Sequence, residues 1–276
     1  MKTIDTLIPD IYATLEGRQG PSKFSNVDVT EHLVKTFEGR SWERPEKTLR
    51  FSEIGTPCKR ALWYKFHKAD TAAPHSGQTL LKFFYGHALE ETVLALSEAS
   101  GHQVTNRQKP ALIELSNGWK VKGSSDAFID RVLVDVKSVT KSSETKFKEG
   151  LVDDPFGYRL QLSGYATAFE QTRAGFLTIQ KELGHLGYYP IEVDKAWTLD
   201  KMEEQAEAVK GSLESLPRLD PVPEGKSGNT KLCVSCSYCA FKEQCYPEAK
   251  QFNYARGPVW LVDIKRQPKV ESEEVL

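Results

Sequence analysis

The sequence has no run of about eighteen apolar residues, so no segment is long and apolar enough to read as a membrane-spanning helix. It also has no excess of one charge. Thirty-seven basic residues against 38 acidic ones leave a net charge of −1, so no global field draws the chain to a polyanion. Any grip on nucleic acid would have to come from local patches. No internal repeat is found. Met1-Lys2-Thr3-Ile4-Asp5 places an acid where a secretory signal would be building its apolar stretch, so a soluble, cytoplasmic chain is expected. Cysteine is scarce and odd in number, five in all, which argues against a disulfide framework in a cytosolic protein.

What is present is enough for a sizeable core: 276 residues, 39% hydrophobic and 27% charged. At roughly 150 residues per domain, that is one elaborated domain or two small ones. Four of the five cysteines, Cys233, Cys236, Cys239 and Cys245, crowd into thirteen residues, while Cys58 lies 175 residues upstream of Cys233. Such crowding points to a metal or iron–sulfur site. Taken in isolation, the four clustered thiols read as a local zinc site, with Cys58 a buried thiol.

Residues 1–50 form an N-terminal extension, expected as two short amphipathic helices around a polar loop, Gly17 to Asn26. A core is expected over 51–216. It opens with a helix starting near Pro57, since proline suits a first helical turn. A longer helix follows from Gly77 to Ser100, with Leu80, Leu81, Phe84, Leu89, Val93 and Leu96 at helical spacing and Gly101 as the stop. The pattern then changes to period two. Residues 111–115 and 119–122 flank Ser116-Asn117-Gly118, a strong hairpin signal. The second strand is expected to run on through Asp126 to Asp130, turn at Asp130-Arg131 and return as a third strand over 132–139. Residues 155–171 resume helical spacing. Strands at 175–181 and 188–193 and a helix at 198–216 complete the core. Residues 217–231 read as a linker, 232–250 as a cysteine module and 251–276 as a tail that ends frayed. The fold class is α/β, with a central mixed sheet flanked by helices.

The chemistry concentrates on Asp135-Val136-Lys137. Strand side chains alternate, so Asp135 and Lys137 share one face and Val134 and Val136 take the other. A tight turn at Asp130-Arg131 would bring Asp126 alongside. Two carboxylates converging beside one lysine repel each other unless a divalent cation lies between them, and oxygen ligands suit Mg²⁺ or Mn²⁺. The lysine would then hold or deprotonate a water for attack on a phosphodiester. A bare D-x-K is more often a surface ion pair, so the tripeptide needs its context.

That context resembles the PD-(D/E)XK nuclease superfamily. Gly123-Ser-Ser-Asp126, followed by Asp135-Val-Lys137, resembles its motif of a first Asp before a hairpin ending in (D/E)-x-K. Gly86-His87-Ala88-Leu89-Glu90 resembles the family's helical metal-binding motif. An acid stands where RecB-like members have histidine, as in lambda-exonuclease-like members, and His87 keeps an open role, with a plain helix-surface or core histidine as the alternative. Gln161-Leu-Ser-Gly-Tyr165 resembles the Q-x-x-x-Y motif of RecB-like nucleases, and its i, i+4 pair projects from one helix face. Cys236, Cys239 and Cys245, with Cys58 far upstream, resemble the C-x2-C-x5-C set of the iron–sulfur branch, which includes AddB and the CRISPR-associated RecB-like exonucleases.

The resemblance implies a restriction-endonuclease-like core and a Mg²⁺- or Mn²⁺-dependent DNA nuclease, with exonuclease action on single strands or duplex ends. Glu90, Asp126, Asp135 and the carbonyl of Val136 would hold the metal. Lys137 would place the water, and Gln161 and Tyr165 would support the DNA. Cys58, Cys236, Cys239 and Cys245 would carry a 4Fe-4S cluster joining the N- and C-terminal segments, with Cys233 surplus. It also implies a setting in recombination, repair or CRISPR adaptation, with a partner protein from that setting. The reading from another class is a non-catalytic DNA-binding protein with a structural zinc or iron–sulfur module. Basic patches at Lys59, Arg60, Lys65 and Lys68 around Trp63, Tyr64 and Phe66, and at Lys141, Lys146 and Lys148, suit DNA but equally suit a solvated surface.

Overall fold

A computed structural model describes residues 2–18, 44–255, 257–270 and 272–273. Along the chain, α1 (Leu7–Leu15), β1 (Thr48–Arg50) and α2 (Phe51–Ile54) precede α3 (Lys59–His67) and α4 (Gly77–Ala99). Strands β2 (Val104–Thr105), β3 (Lys109–Glu114), β4 (Lys120–Ser125), β5 (Ala127–Ile129) and β6 (Val132–Val139) follow. Next come α5 (Lys141–Lys148), α6 (Tyr158–Ala168), β7 (Arg173–Gln180), β8 (Leu186–Glu192) and α7 (Lys195–Lys210). The chain continues with β9 (Val222–Pro223), β10 (Thr230–Lys231), α8 (Val234–Ser237), α9 (Lys242–Cys245), β11 (Lys250–Tyr254), β12 (Gly257–Asp263) and β13 (Ser272–Glu273). Two units result: Met1–Gly55 with Ser76–Glu203, and Thr56–His75 with Glu204–Leu276. The polar loop and second helix expected before residue 44 lie largely outside the described residues.

The first unit is built on a sheet of order β2-β5-β6-β7-β8, in which β6 and β7 run parallel. Strand β6 is central because both its faces are covered. Val134 and Val136 pack with Leu7 and Ile11 of α1, Val93 and Leu94 of α4, and Ala127, Ile129 and Leu177 of the sheet. Each such aliphatic side chain contributes about 1.5–3 kcal/mol when fully buried. The β5–β6 turn is tight, with Ile129 paired to Val132 and positive φ at Asp130 (49°) and Arg131 (71°), the type I′ pattern that matches strand twist. The Asp130 carboxylate braces it, accepting the Gln103 N–H at 3.0 Å and lying 2.6 Å from His102 Nδ1. The other nitrogen of this buried imidazole faces Asp10 of α1 at 3.1 Å.

Several expectations need correction. The strand through Asp126 is broken: β4 belongs to a small sheet of order β1-β4-β3, and β5 to the large one. Asp126 is the hinge between them, and the preceding Lys122-Gly-Ser-Ser125 carries no apolar side chain to mark the break. Pro57 precedes its helix; Cys58 is the N-cap of α3. Leu80 and Leu81, which share the helical spacing of the buried residues, are 54% and 48% exposed, because only the C-terminal half of α4 is covered. Residues 141–148 are helical, capped by the Thr140 hydroxyl, which accepts from Ser143 N–H.

In the second unit, the expected linker contains β9 and β10, and the expected module and tail supply β11, β12 and β13, in a sheet of order β13-β11-β12-β10-β9. Buried Asn229 explains how a Pro/Gly-rich stretch holds a strand. Its amide donates to Glu224 Oε2 and the Arg266 carbonyl and accepts the N–H groups of Lys265 and Arg266. The frayed end falls mostly on residues outside those described.

Candidate active site and cysteine cluster

The first unit brings the predicted carboxylates and lysine together. The Asp126 carboxylate follows the last residue of β4 and lies beside β6, where its Oδ2 accepts the backbone N–H of Val136 at 2.8 Å. Asp135 is 3% exposed, and Lys137 Nζ lies 2.5 Å from its Oδ2. The Lys137 ammonium is thus the charged partner of that buried carboxylate oxygen. Burial pushes the Asp126 carboxyl well above the ordinary range, and Glu90 and Asp135 push it further. Burial raises Asp135 too, against the pull of Lys137. Burial works to lower Lys137, but Asp135 and Asp126 outweigh it, so the amine is held as an ammonium. The Tyr158 ring, 5.0 Å from Nζ, adds a cation–π contact.

Glu90 reaches the same group from α4. The Gln108 side chain donates to its Oε1 at 3.2 Å, and His87 Nδ1 lies 3.8 Å from its Oε2. His87 is therefore a mostly exposed neighbour of Glu90, one helical turn before it. On α6, Gln161 hydrogen-bonds the Tyr165 hydroxyl, while the Tyr165 ring packs 4.4 Å from that of Phe51. Burial first, then Asp126 and Asp135, raises the Tyr165 hydroxyl's pKa, so the phenol stays protonated. Gly123 makes this possible. A Cβ there would lie 2.6 Å from Tyr165 Oη.

An oxygen-only donor set and like charges converging at partly or fully buried positions fit a hard divalent cation. Among the described residues, no three Asp, Glu, His or Cys side chains already stand as a metal-binding group. The backbone N–H of Val136, whose carbonyl is one of the expected ligands, engages Asp126. Sequence reading missed Gln108 and Tyr158, which carry no motif and become visible only through their contacts.

The second unit gathers all five cysteines, none of them in a disulfide. Burial raises the Cys58 thiol, with Cys245 and Cys233 adding to it. Burial likewise raises Cys236, reinforced by a hydrogen bond with Cys233 and by Cys58 and Cys239. Cys58 thus lies within electrostatic reach of the C-terminal thiols. Backbone N–H groups point at two sulfurs: Ala61 to Cys58 Sγ and Phe241 to Cys239 Sγ, both at 3.4 Å. Thiols that would repel one another as thiolates, with N–H donors aimed at sulfur, are donor chemistry suited to iron or zinc.

Part of the basic patch on α3 is engaged within the unit. Lys59 pairs with Glu204 at 2.5 Å, Arg60 donates to the carbonyls of Leu213 and Leu216, and Trp63 donates to that of Gly211. Tyr64 stacks on Phe241. These side chains hold α3 to residues 204–216 and 241. Lys146 likewise pairs with Asp153, and Lys148 lies 3.6 Å from Glu144.

The sequence matches the profile of the PD-(D/E)XK nuclease superfamily over residues 40–246, well over half the chain. The chain belongs to that superfamily. The crystal structure of SSO0001 is similar to it with a TM-score of 0.51 at 18% identity, covering 78% of this chain and 94% of that one, a likeness of fold. A phage related exonuclease from Haemophilus somnus 129PT overlaps with a TM-score of 0.42 at 17% identity, over 59% of this chain and 91% of its own. An alkaline exonuclease from Laribacter hongkongensis overlaps with a TM-score of 0.36 at 14% identity, over 59% and 90%. No curated protein matches the chain. Among the described residues of this superfamily member, no helix is long and apolar enough to cross a membrane.

Proposed function

We propose that this superfamily member is a Mg²⁺- or Mn²⁺-dependent deoxyribonuclease, acting as an exonuclease on DNA ends or single strands in recombination, repair or CRISPR adaptation. The observation that carries the reading is the convergence of the buried Asp126 and Asp135 carboxylates, with Glu90, beside Lys137. A protein that only binds DNA gains nothing from converging carboxylates that repel phosphate. Glu90, Asp126, Asp135 and the Val136 carbonyl would hold the cation. When bound, it supplies Lewis-acid polarisation of the scissile phosphodiester.

The chain's own groups do the rest. Lys137 would hold the attacking water or donate a hydrogen bond to a phosphate oxygen, and its charge would offset the negative charge that develops there. Asp135 and the Tyr158 ring hold that amine in place. Gln161 and Tyr165, joined side chain to side chain, present polar groups for the DNA backbone. In the second unit, Cys58, Cys236, Cys239 and Cys245 would carry a 4Fe-4S cluster, a staple between segments far apart in sequence.

The test is hydrolysis of end-labelled linear and covalently closed circular DNA with Mn²⁺, wild type beside Lys137→Met, which keeps the stem without the charge. Degradation of linear DNA alone by the wild type, with loss of about 10²-fold or more in the variant while DNA binding persists, is expected. A folded, DNA-binding wild type that cleaves neither substrate would overturn the enzyme reading. Cleavage of circles would overturn the exonuclease one.

A further inference from the structure

Between β2 and β3, the chain places two residues of unusual backbone on either side of Arg107. Asn106 and Gln108 have positive φ, 54° and 52°, a region that residues other than glycine seldom occupy. Arg107, between them, is bolted to α4 by two ion pairs, Nη1 to Glu91 at 2.8 Å and Nη2 to Glu98 at 3.2 Å. The backbone N–H of Gln108 donates to the carbonyl of Asp126 at 3.0 Å. Its side-chain amide donates to Glu90 Oε1 at 3.2 Å. One residue thus ties together two carboxylate-bearing positions on separate elements.

We infer that Gln108 is a positioning residue for the metal site, orienting the Glu90 carboxylate from one side while its backbone fixes Asp126 from the other. The inference rests on the proposed role of Glu90 as a metal ligand. Two features set it apart from ordinary packing. The loop is already anchored by Arg107 and by the backbone bond to Asp126, so the Gln108 side chain is not needed to hold it. A neutral amide facing a carboxylate must also present N–H, so it orients the acid without neutralising it or competing as a cation. Backbone strain held by surrounding contacts next to a charged site fits a functional constraint. Hydrogen-bond partners of ligating groups typically set affinity by 10- to 100-fold.

The experiment is Mn²⁺ binding by calorimetry on the full chain without DNA, for wild type, Gln108→Asn, Gln108→Leu and Glu90→Gln, with melting temperatures alongside. Asparagine tolerates positive φ and keeps the amide but falls one methylene short of Glu90, so it separates reach from fold. Both Gln108 variants should bind Mn²⁺ about 10- to 100-fold more weakly, with DNA cleavage recovering as Mn²⁺ is raised. Folded Gln108 variants whose Mn²⁺ affinity stays within about twofold of wild type, while Glu90→Gln loses it, overturn the role of Gln108 alone. Wild-type affinity in Glu90→Gln overturns the ligand role of Glu90 and this inference together. If Gln108→Leu melts below the assay temperature, Gln108→Asn decides.

Discussion

Gly123→Ala probes the link between the Gly-Ser-Ser-Asp stretch and α6. A Cβ at 123 would lie 2.6 Å from Tyr165 Oη, 3.2 Å from Phe51 Cδ2 and 3.4 Å from Tyr165 Cζ. Only the first distance is prohibitive; the others close with shifts of a few tenths of an ångström. Tyr165 cannot swing away freely, because it is 5% exposed and packed on Phe51. Overpacking of this kind costs about 1–3 kcal/mol. Tyr165→Phe removes the offending oxygen and loses its hydrogen bond with Gln161, a cost of about 0.5–1.5 kcal/mol. In the double variant the clash is gone, and the restricted unfolded chain of alanine returns about 0.4–1 kcal/mol. The pair should therefore be no less stable than Tyr165→Phe alone, with a coupling of about 1 kcal/mol or more. Urea unfolding of the four proteins measures it. Additivity within about 0.5 kcal/mol would refute the idea that Gly123 exists to seat the Tyr165 hydroxyl.

Two further expectations concern other parts of the molecule. Burial works to raise buried Glu144, but hydrogen bonds from Tyr189 and Gln180, both at 3.0 Å, together with Lys148, outweigh it and hold its carboxyl below the ordinary value. A carboxyl depressed in the folded state stabilises above its unfolded pKa of about 4.3 and loses that contribution as pH falls through the lower, folded value. Urea midpoints should fall more steeply with acid in wild type than in Glu144→Gln; parallel profiles would count against the network. For the cysteines, anaerobically purified wild type should be brown, with a broad band near ~400 nm and about four irons per chain, both lost in Cys58→Ala. A colourless protein holding one zinc that survives Cys58→Ala would mean a local site of Cys233, Cys236, Cys239 and Cys245 instead.

What could be read from the sequence, and what could not, divides along physical lines. Strand β6 and the C-terminal half of α4 were legible because apolar periodicity reports burial directly, and Val134, Val136, Val93 and Leu94 are buried together. The hairpin at Asn117-Gly118 was legible because positive φ, here 79° at Gly118, selects residue type. The convergence of Asp126, Asp135 and Lys137 followed from alternation plus one tight turn, even though Asp130-Arg131 makes that turn without glycine. Helix α5 was not legible. Its sequence KSSETKFK has one apolar residue, Phe147, and its stability comes from the Thr140 cap and from that ring packing on Phe176. The break at Asp126 was hidden for a related reason: Lys122-Gly-Ser-Ser-Asp126 has no apolar residue to record which sheet covers it. Gln108 was hidden more deeply, since a glutamine in a polar loop has no pattern at all until α4 and β4 bring Glu90 and Asp126 to either side of it. Motif residues near the chemistry can be found by spacing. The residues that orient them belong to other elements, and only the fold brings them into contact.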